Sequence, residues 1–158
     1  MARLFRIDRS FDLPYVAGYS RDGSIIYIDR HFPTKLQVGS RSANFLQALA
    51  THEHTEKTLI DVYGWKYQQA HHLATMAEHR VVRALGFLPK EYEKAVQPYI
   101  KADAHEKLKR VPPQLDLTPY IDDNDYPTLF RLRSLMNASA WRAATTGRFP
   151  YASDEERT

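Results

Sequence analysis

The pattern of apolar and polar positions changes along the chain, from short β-like runs to helical periodicity. Before residue 33 the apolar runs are short and rich in β-branched and aromatic residues, as is typical of strands. Two of these runs flank Asp22-Gly23, a turn sequence that predicts a hairpin. The predicted strands cover residues 4–7, 15–19 and 25–29.

After residue 40, apolar positions recur at helical spacing. The first predicted helix begins near Ser40 or Ser42, either of which could cap it, and ends before Gly64. The second covers residues 66–85 and ends at Gly86. Three later helices are predicted: a short one from Pro89 that Pro98 breaks or kinks, a polar one over 101–110, and a last one from Pro127 through Trp141, capped by the acidic run at 122–125.

These elements predict one α+β domain that is mostly helical, over residues 1–150, followed by a flexible tail at 151–158. A small N-terminal antiparallel β-sheet is expected to pack on a central helical hairpin, with the C-terminal helices covering it. The chain has 158 residues, 43% of them hydrophobic and 26% charged, which suits a single globular domain.

Composition excludes several classes of protein. There is no cysteine, so disulfides and thiolate metal sites are ruled out and a transition metal must use His, Asp or Glu. No apolar run has the length of a signal peptide or a membrane span, which favours a cytoplasmic location without membrane contact. The net charge of +3 comes from interleaved charges, so nucleic-acid binding is not expected.

Histidine and glutamate side chains interrupt the apolar face of the first helix. Five of the seven histidines fall between residues 52 and 79. On a helical wheel, His52 and Glu56 lie on the apolar face one turn apart, Glu53 lies at its edge, and His54 points to solvent. Burying such groups is costly unless each is paired or binds a metal. The apolar face itself is defined by Phe45, Leu49, Leu59, Ile60 and Tyr63.

The second helix carries a matching pair of polar side chains. His71 and Glu78 border a stripe of small residues, whereas His72 and His79 are expected to point away. When the helices fold back at Gly64, Glu56 comes level with His71, and His52 falls near Glu78. The residues predict either a metal site or a buried His–Glu hydrogen-bond network in this seam.

The segment His52-Glu53-x-x-Glu56 resembles the His-Glu-x-x-His motif of the zincin metallopeptidases, with Glu in place of the last His. The resemblance is local and spans roughly residues 20–85. It implies that zinc, or another divalent metal, is held by His52, Glu56 and His71. It also implies that Glu53 is the general base for a metal-activated water that hydrolyses peptide or amide bonds. Glu78 is then either an alternative third ligand or an acceptor that orients His71.

In zincins the active-site helix follows a β-sheet whose edge strand holds an extended peptide. The predicted hairpin through residues 25–29 lies where the resemblance would place such a sheet. A peptide or protein substrate is therefore expected. Tyr67, Tyr63 and His31 are candidates for hydrogen bonds to the transition state.

Two other classes remain open. A di-metal carboxylate bundle could use Glu53, Glu56, His71 and Glu78, but no Glu-x-x-His pair lies in the seam. A non-catalytic interaction or regulatory protein could keep the same residues as a buried network. Metal content distinguishes these classes. For the di-metal class, the later helices contain four further potential ligands: Glu91, Glu93, His105 and Glu106.

Overall fold

The computed structural model describes residues 5–105 and 108–147, with the backbone alone over 101–105. This part of the chain is α+β and mostly helical, as predicted, and none of its helices has the length and apolar character needed to cross a membrane. The predicted tail at 151–158 lies outside the described residues. The strands are β1 (Arg6–Asp8), β2 (Ala17–Tyr19), β3 (Ile25–Ile28), β4 (Leu36–Val38) and β5 (Arg41–Ala43). The helices are α1 (Leu46–Asp61), α2 (Tyr67–Ala84), α3 (Pro89–His105), α4 (Thr118–Asp122), α5 (Tyr126–Leu135) and α6 (Ala138–Thr145).

The N-terminal sheet contains the predicted hairpin. Strands β2 and β3 pair in antiparallel fashion, and the turn between them includes Gly23 at φ 76°, a conformation that glycine adopts without strain. Strand β1 pairs with the other side of β3 and runs parallel to it, so the sheet has the order β1-β3-β2. The small N-terminal sheet is thus present as predicted, with the expected antiparallel hairpin and one parallel strand beside it.

The start of the first helix differs from its prediction. Strands β4 and β5 form a second hairpin around Gly39, at φ 61°, in the segment where Ser40 and Ser42 were expected to cap a helix. The helix begins at Leu46 instead, where the Asn44 side chain accepts a hydrogen bond from the Leu46 amide at 2.9 Å. The segment therefore forms a β-turn at Gly39 rather than a helix start at Ser40 or Ser42.

The later helices also differ in their boundaries. Helix α3 continues through Pro98 to residue 105, so of the expected break or kink at Pro98 the break does not occur. Pro98 is exposed, so the carbonyl that loses its amide partner can be hydrated. The last predicted helix is in fact two helices, because Asn137 caps α6 by accepting a hydrogen bond from the Ala140 amide at 2.7 Å. Asp125 caps α5, as the acidic run predicted.

The sheet is covered on both faces. Ile26 and Ile28 pack in one core cluster with residues of α1, α2 and α3, whereas Tyr27 between them packs in a second cluster with the C-terminal segment. This alternation follows from the two-residue period of a strand. Strand β2 also lies against α1, so its fully buried Tyr19 points toward the polar seam of the helical hairpin.

Candidate metal site

Three potential ligand atoms converge between α1 and α2. The Nε2 atom of His52 lies 3.2 Å from Oε2 of Glu56 and 3.2 Å from Nδ1 of His71. The Glu56 and His71 atoms are 3.0 Å apart, so the three form a nearly equilateral triangle. His52 and Glu56 lie one turn apart on α1, and the turn after α1 brings His71 level with them. The sequence placed these residues in one seam, and the structure brings them together.

The triangle has the dimensions of three vertices of a zinc tetrahedron. Ligand atoms about 2.05 Å from a tetrahedral zinc ion are about 3.3 Å apart, close to the observed separations. Oε2 of Glu56 can accept a hydrogen bond from each imidazole, but the two ring nitrogens, 3.2 Å apart, then bring two N–H groups close together. A cation satisfies all three lone pairs at once. Two histidines and a carboxylate are a common donor set of catalytic zinc sites.

Glu78 orients His52 from behind. The Nδ1 atom of His52 donates to Oε1 of Glu78 at 2.8 Å, and the Tyr92 hydroxyl donates to the other Glu78 oxygen at 2.6 Å. This bond fixes the imidazole so that Nε2 faces the triangle. From the sequence, Glu78 was expected to be either an alternative third ligand or the acceptor that orients His71. The second expectation is wrong, because Glu78 orients His52 instead.

Glu56 is oriented in the same way. Its Oε1 atom accepts a hydrogen bond from the Tyr19 hydroxyl at 2.7 Å, which leaves Oε2 directed at the two histidines. Sequence reasoning missed both Tyr19 and Tyr92, because each reaches the site from a distant element, β2 or α3. The only sequence signal is that a buried tyrosine in an apolar run needs a hydrogen-bond partner for its hydroxyl.

In this cluster, the hydrogen bonds together shift the pKa values of His52 and Glu56 further than burial does, and in the opposite direction. Burial acts to raise the pKa of Glu56, but hydrogen bonds from His52 and His71 lower this pKa to about 2. Burial acts to lower the pKa of His52, yet hydrogen bonds to Glu56 and Glu78 raise it well above its usual value. A metal must displace the proton of His52, so its affinity is expected to increase with pH.

Glu53 is buried beside the triangle without joining it. Its side chain is 9% exposed, and no hydrogen bond from the described residues reaches its carboxyl group. Burial, and then the negative charge of Glu56, raise the pKa of Glu53 to about 8. A nearby divalent cation would lower this pKa again. Because a general base must be ionised, Glu53 suits that role at neutral pH once a bound cation has lowered its pKa.

A cavity of about 420 Å³ opens beside the three ligand atoms. This volume is typical of sites for small molecules or short peptide segments. Its walls come from α1, α2, α3, α4 and the segment that leads into β2, where Tyr15 and Val16 adopt positive φ angles of 59° and 75°. Such angles are strained for a β-branched residue and are most often found at functional sites.

Two tyrosine hydroxyl groups border this cavity. The hydroxyl of Tyr67 lies 3.5 Å from Nδ1 of His71. Tyr120 is 1% exposed, and its hydroxyl makes no hydrogen bond with the described residues. Burial raises the pKa of both tyrosines, so both hydroxyls stay protonated and can donate to an oxygen in the cavity. Of the other expected donors, Tyr63 is 67% exposed, and His31 lies beside Asp12 rather than in the cavity wall.

The remaining histidines of the segment lie outside the triangle. His54, which was expected to point to solvent, is half-buried against Phe5, whereas His72 is exposed as predicted. His79 was expected to point away, but α3 packs beside it, and its Nε2 atom lies 2.7 Å from Oε1 of Glu93 in the cavity wall.

The acids expected for a second metal are not assembled into a site among the described residues. There, His52, Glu56 and His71 are the one group of three that could hold an ion. Glu93 contacts His79, and Glu91 lies outside the cavity wall. The side chains of His105 and Glu106 lie outside the described residues.

We compared the chain with models of known protein families, with curated proteins and with solved structures, and none of them matched.

Proposed function

We propose that this protein is a metal-dependent hydrolase of peptide or amide bonds that uses zinc or another divalent metal. The observation that carries this proposal is the convergence of His52 Nε2, Glu56 Oε2 and His71 Nδ1, with separations of 3.0 to 3.2 Å, at the wall of a cavity. Three protein ligands and one open position are the arrangement of catalytic zinc sites, whereas structural zinc sites are closed by four.

The residues around the triangle suit hydrolysis. When bound, zinc supplies Lewis acidity, which polarises a carbonyl group and acidifies water. Glu53 takes the proton of the attacking water and returns it to the leaving amine. Tyr67 and Tyr120 donate hydrogen bonds to the oxygen on which negative charge develops.

A purely structural network accounts less well for these surroundings. Glu53 and Tyr120 both border the cavity, and neither side chain has a hydrogen-bond partner among the described residues. Their polar atoms open to the cavity, because Arg9 Nε is the one enclosed side-chain polar atom without a partner in this part of the chain. Ligand binding at this position would give both groups a partner.

Elemental analysis of the untagged protein tests the metal site. We expect about one zinc per chain after zinc is offered and the excess removed, and loss of this zinc in His52→Ala and Glu56→Ala. His72→Ala is the matched control, because His72 is next to His71 but exposed. A folded protein that takes up no zinc would contradict the proposal and would favour a buried His–Glu network in a non-catalytic protein.

The catalytic assignment is tested separately with Glu53→Gln. This variant keeps the three ligands and is expected to retain zinc while losing hydrolysis of peptide and amide libraries by at least about a hundredfold. Zinc uptake without hydrolysis in the unmodified protein would support the metal site and contradict the hydrolase function.

A further inference from the structure

The cavity has a charge opposite to that of the chain as a whole. The chain has 22 Lys and Arg residues and a net charge of +3, yet no Lys or Arg among the described side chains lines the cavity. Five acidic residues do line it: Glu53, Glu56, Glu78, Glu93 and Asp123.

The triangle and its metal neutralise only part of this negative charge. Glu56 and Glu78 contact His52 and together balance one divalent cation. Glu93 has one histidine partner, His79, at 2.7 Å. Asp123 is an exposed carboxylate at the cavity wall. The occupied site therefore keeps an excess of negative charge.

The acidic groups lie on both sides of the triangle. His71 and His79 are eight residues apart on α2, a rise of about 12 Å, so Glu93 lies at one end of the cavity. Asp123 lies toward the other end, where the Gln68 side chain donates to the backbone oxygen of the preceding residue at 3.0 Å. An extended substrate that crosses the metal would meet a carboxylate on either side.

We propose that the substrates of this site are positively charged peptides or amides, with an ammonium or guanidinium group beside the scissile bond. This inference rests on the proposed hydrolase function and names its substrate class. A cleft with carboxylates of one sign and low-dielectric walls focuses its field and concentrates cations. The group could be a basic side chain or a free α-amino group, since both present the same cation.

Four hydroxamates that share one skeleton test the charge preference by calorimetric titration of the zinc-loaded protein. The probes are Nα-acetylnorleucine hydroxamate, which is neutral, Nα-acetyllysine hydroxamate, norleucine hydroxamate with a free α-amino group, and the anionic α-hydroxamate of Nα-acetylglutamate. The hydroxamate binds zinc in each case, so differences in affinity report the charge. The lysine and norleucine probes distinguish the two sources of the cation.

We expect at least one cationic probe to bind roughly tenfold more tightly than the neutral one, and the anionic probe to bind most weakly. Glu93→Gln and Asp123→Asn should each reduce the cation preference roughly two- to fivefold. Both variants should leave the affinity of the neutral probe unchanged. Added salt should weaken the preference. Glu91→Gln is the matched control, because Glu91 lies on α3 but does not line the cavity.

Equal binding of the four probes by a zinc-loaded protein would overturn this inference and leave the metal site intact. Tightest binding of the anionic probe would do the same, as would a cation preference that persists in the double variant Glu93→Gln/Asp123→Asn. Failure to retain zinc, with no probe bound, would overturn the proposed function and this inference together. Because Asp123 is exposed, its substitution tests the idea even if Glu93→Gln perturbs the packing of His79.

Discussion

Glu78 holds the imidazole of His52 from the side opposite the ligand triangle. One ring nitrogen donates to Glu78 at 2.8 Å, while the other lies 3.2 Å from both Glu56 and His71. Tyr92 donates to the second Glu78 oxygen, so a chain of buried hydrogen bonds runs from α3 to the ligand atoms. The site is thus fixed by three helices, although the three potential ligand atoms come from α1 and α2.

The first prediction concerns this chain of hydrogen bonds. Glu78→Gln should lower zinc affinity about 10- to 100-fold, because a neutral amide orients and polarises the imidazole less well. Tyr92→Phe should have a smaller effect in the same direction. Competition with a chromophoric chelator measures both affinities. Glu91→Gln provides the control, and an unchanged affinity in Glu78→Gln would contradict the orienting role.

The second prediction concerns pH and the metal-free protein. Glu53 has a pKa of about 8 when folded and 4.5 as a reference, so between these pH values the unfolded chain binds fewer protons. The free energy of unfolding therefore falls as pH rises from 4.5 to 8, by up to roughly 3–5 kcal/mol from this group. Glu53→Gln should remove this loss and stabilise the metal-free protein at pH 8 but not at pH 4.5.

Two neighbours of Glu53, His52 and Glu56, also affect how the free energy of unfolding depends on pH. The raised pKa of His52 contributes stability that is present below pH 6.5 and is lost as pH rises through its folded value. The lowered pKa of Glu56 contributes stability that is present above pH 4.5 and is lost as pH falls to about 2. Urea denaturation of the metal-free protein should therefore show a maximum near pH 4.5 and a decline above it. If the free energy of unfolding of Glu53→Gln depends on pH in the same way as that of the unmodified protein, the raised pKa of Glu53 is contradicted.

The third prediction concerns zinc and thermal stability. Zinc that binds only the folded chain should stabilise it by about 4 kcal/mol at a free concentration of a thousand times Kd. Differential scanning fluorimetry should show a higher Tm with zinc and a return to the metal-free value with EDTA. His71→Ala should lose this response and His72→Ala should keep it. An equal response in the two variants would show that zinc binds elsewhere.

The fourth prediction concerns the wall of the cavity. Buried Lys57 contacts Asp116 at 2.6 Å and Asp61 at 2.9 Å, and Asp116 also accepts two hydrogen bonds from Thr118 at the start of α4. Lys57→Met leaves Asp116 buried without its cation and should cost about 3–5 kcal/mol in urea denaturation. Lys94→Met, at an exposed position, should change stability by less than about 0.5 kcal/mol. Equal effects would indicate that the buried pair contributes little.

The fifth prediction concerns the hydroxyl of Tyr120, which has no hydrogen-bond partner among the described residues. Tyr120→Phe should lower kcat about 10²-fold with little change in zinc content, because one donor to the developing negative charge is lost. Tyr126→Phe, at a position that is 62% exposed, is the control. Loss of zinc in Tyr120→Phe, rather than loss of rate, would assign the residue a structural role.

Much of the site could be predicted from the sequence because it lies on two helices joined by a short turn. The spacing of His52 and Glu56 puts both on one face of α1, and Gly64 sets the turn that brings His71 level with them. The helical wheel also separated His52 from His54. These relationships follow from helix geometry, which is fixed by local backbone hydrogen bonds.

The strands and helix boundaries were less predictable. The hairpin at β4 and β5 was missed because Ser40 and Ser42 also fit a helix cap, and tertiary burial of Leu36 and Val38 favours the strand. The continuity of α3 through Pro98 depends on Pro98 being exposed. Local signals of this kind are overruled when packing stabilises the alternative.

By itself, the sequence determined the α+β class, the helical hairpin and the placement of His52, Glu56 and His71 in one seam, since these depend on periodicity and one turn. Only the tertiary structure decided that Tyr19 orients Glu56, that Glu78 orients His52, and that His79 turns toward Glu93. Those contacts join residues 14 to 37 positions apart in the chain. They depend on how β2 and α3 pack against the hairpin, which no local pattern of residues specifies.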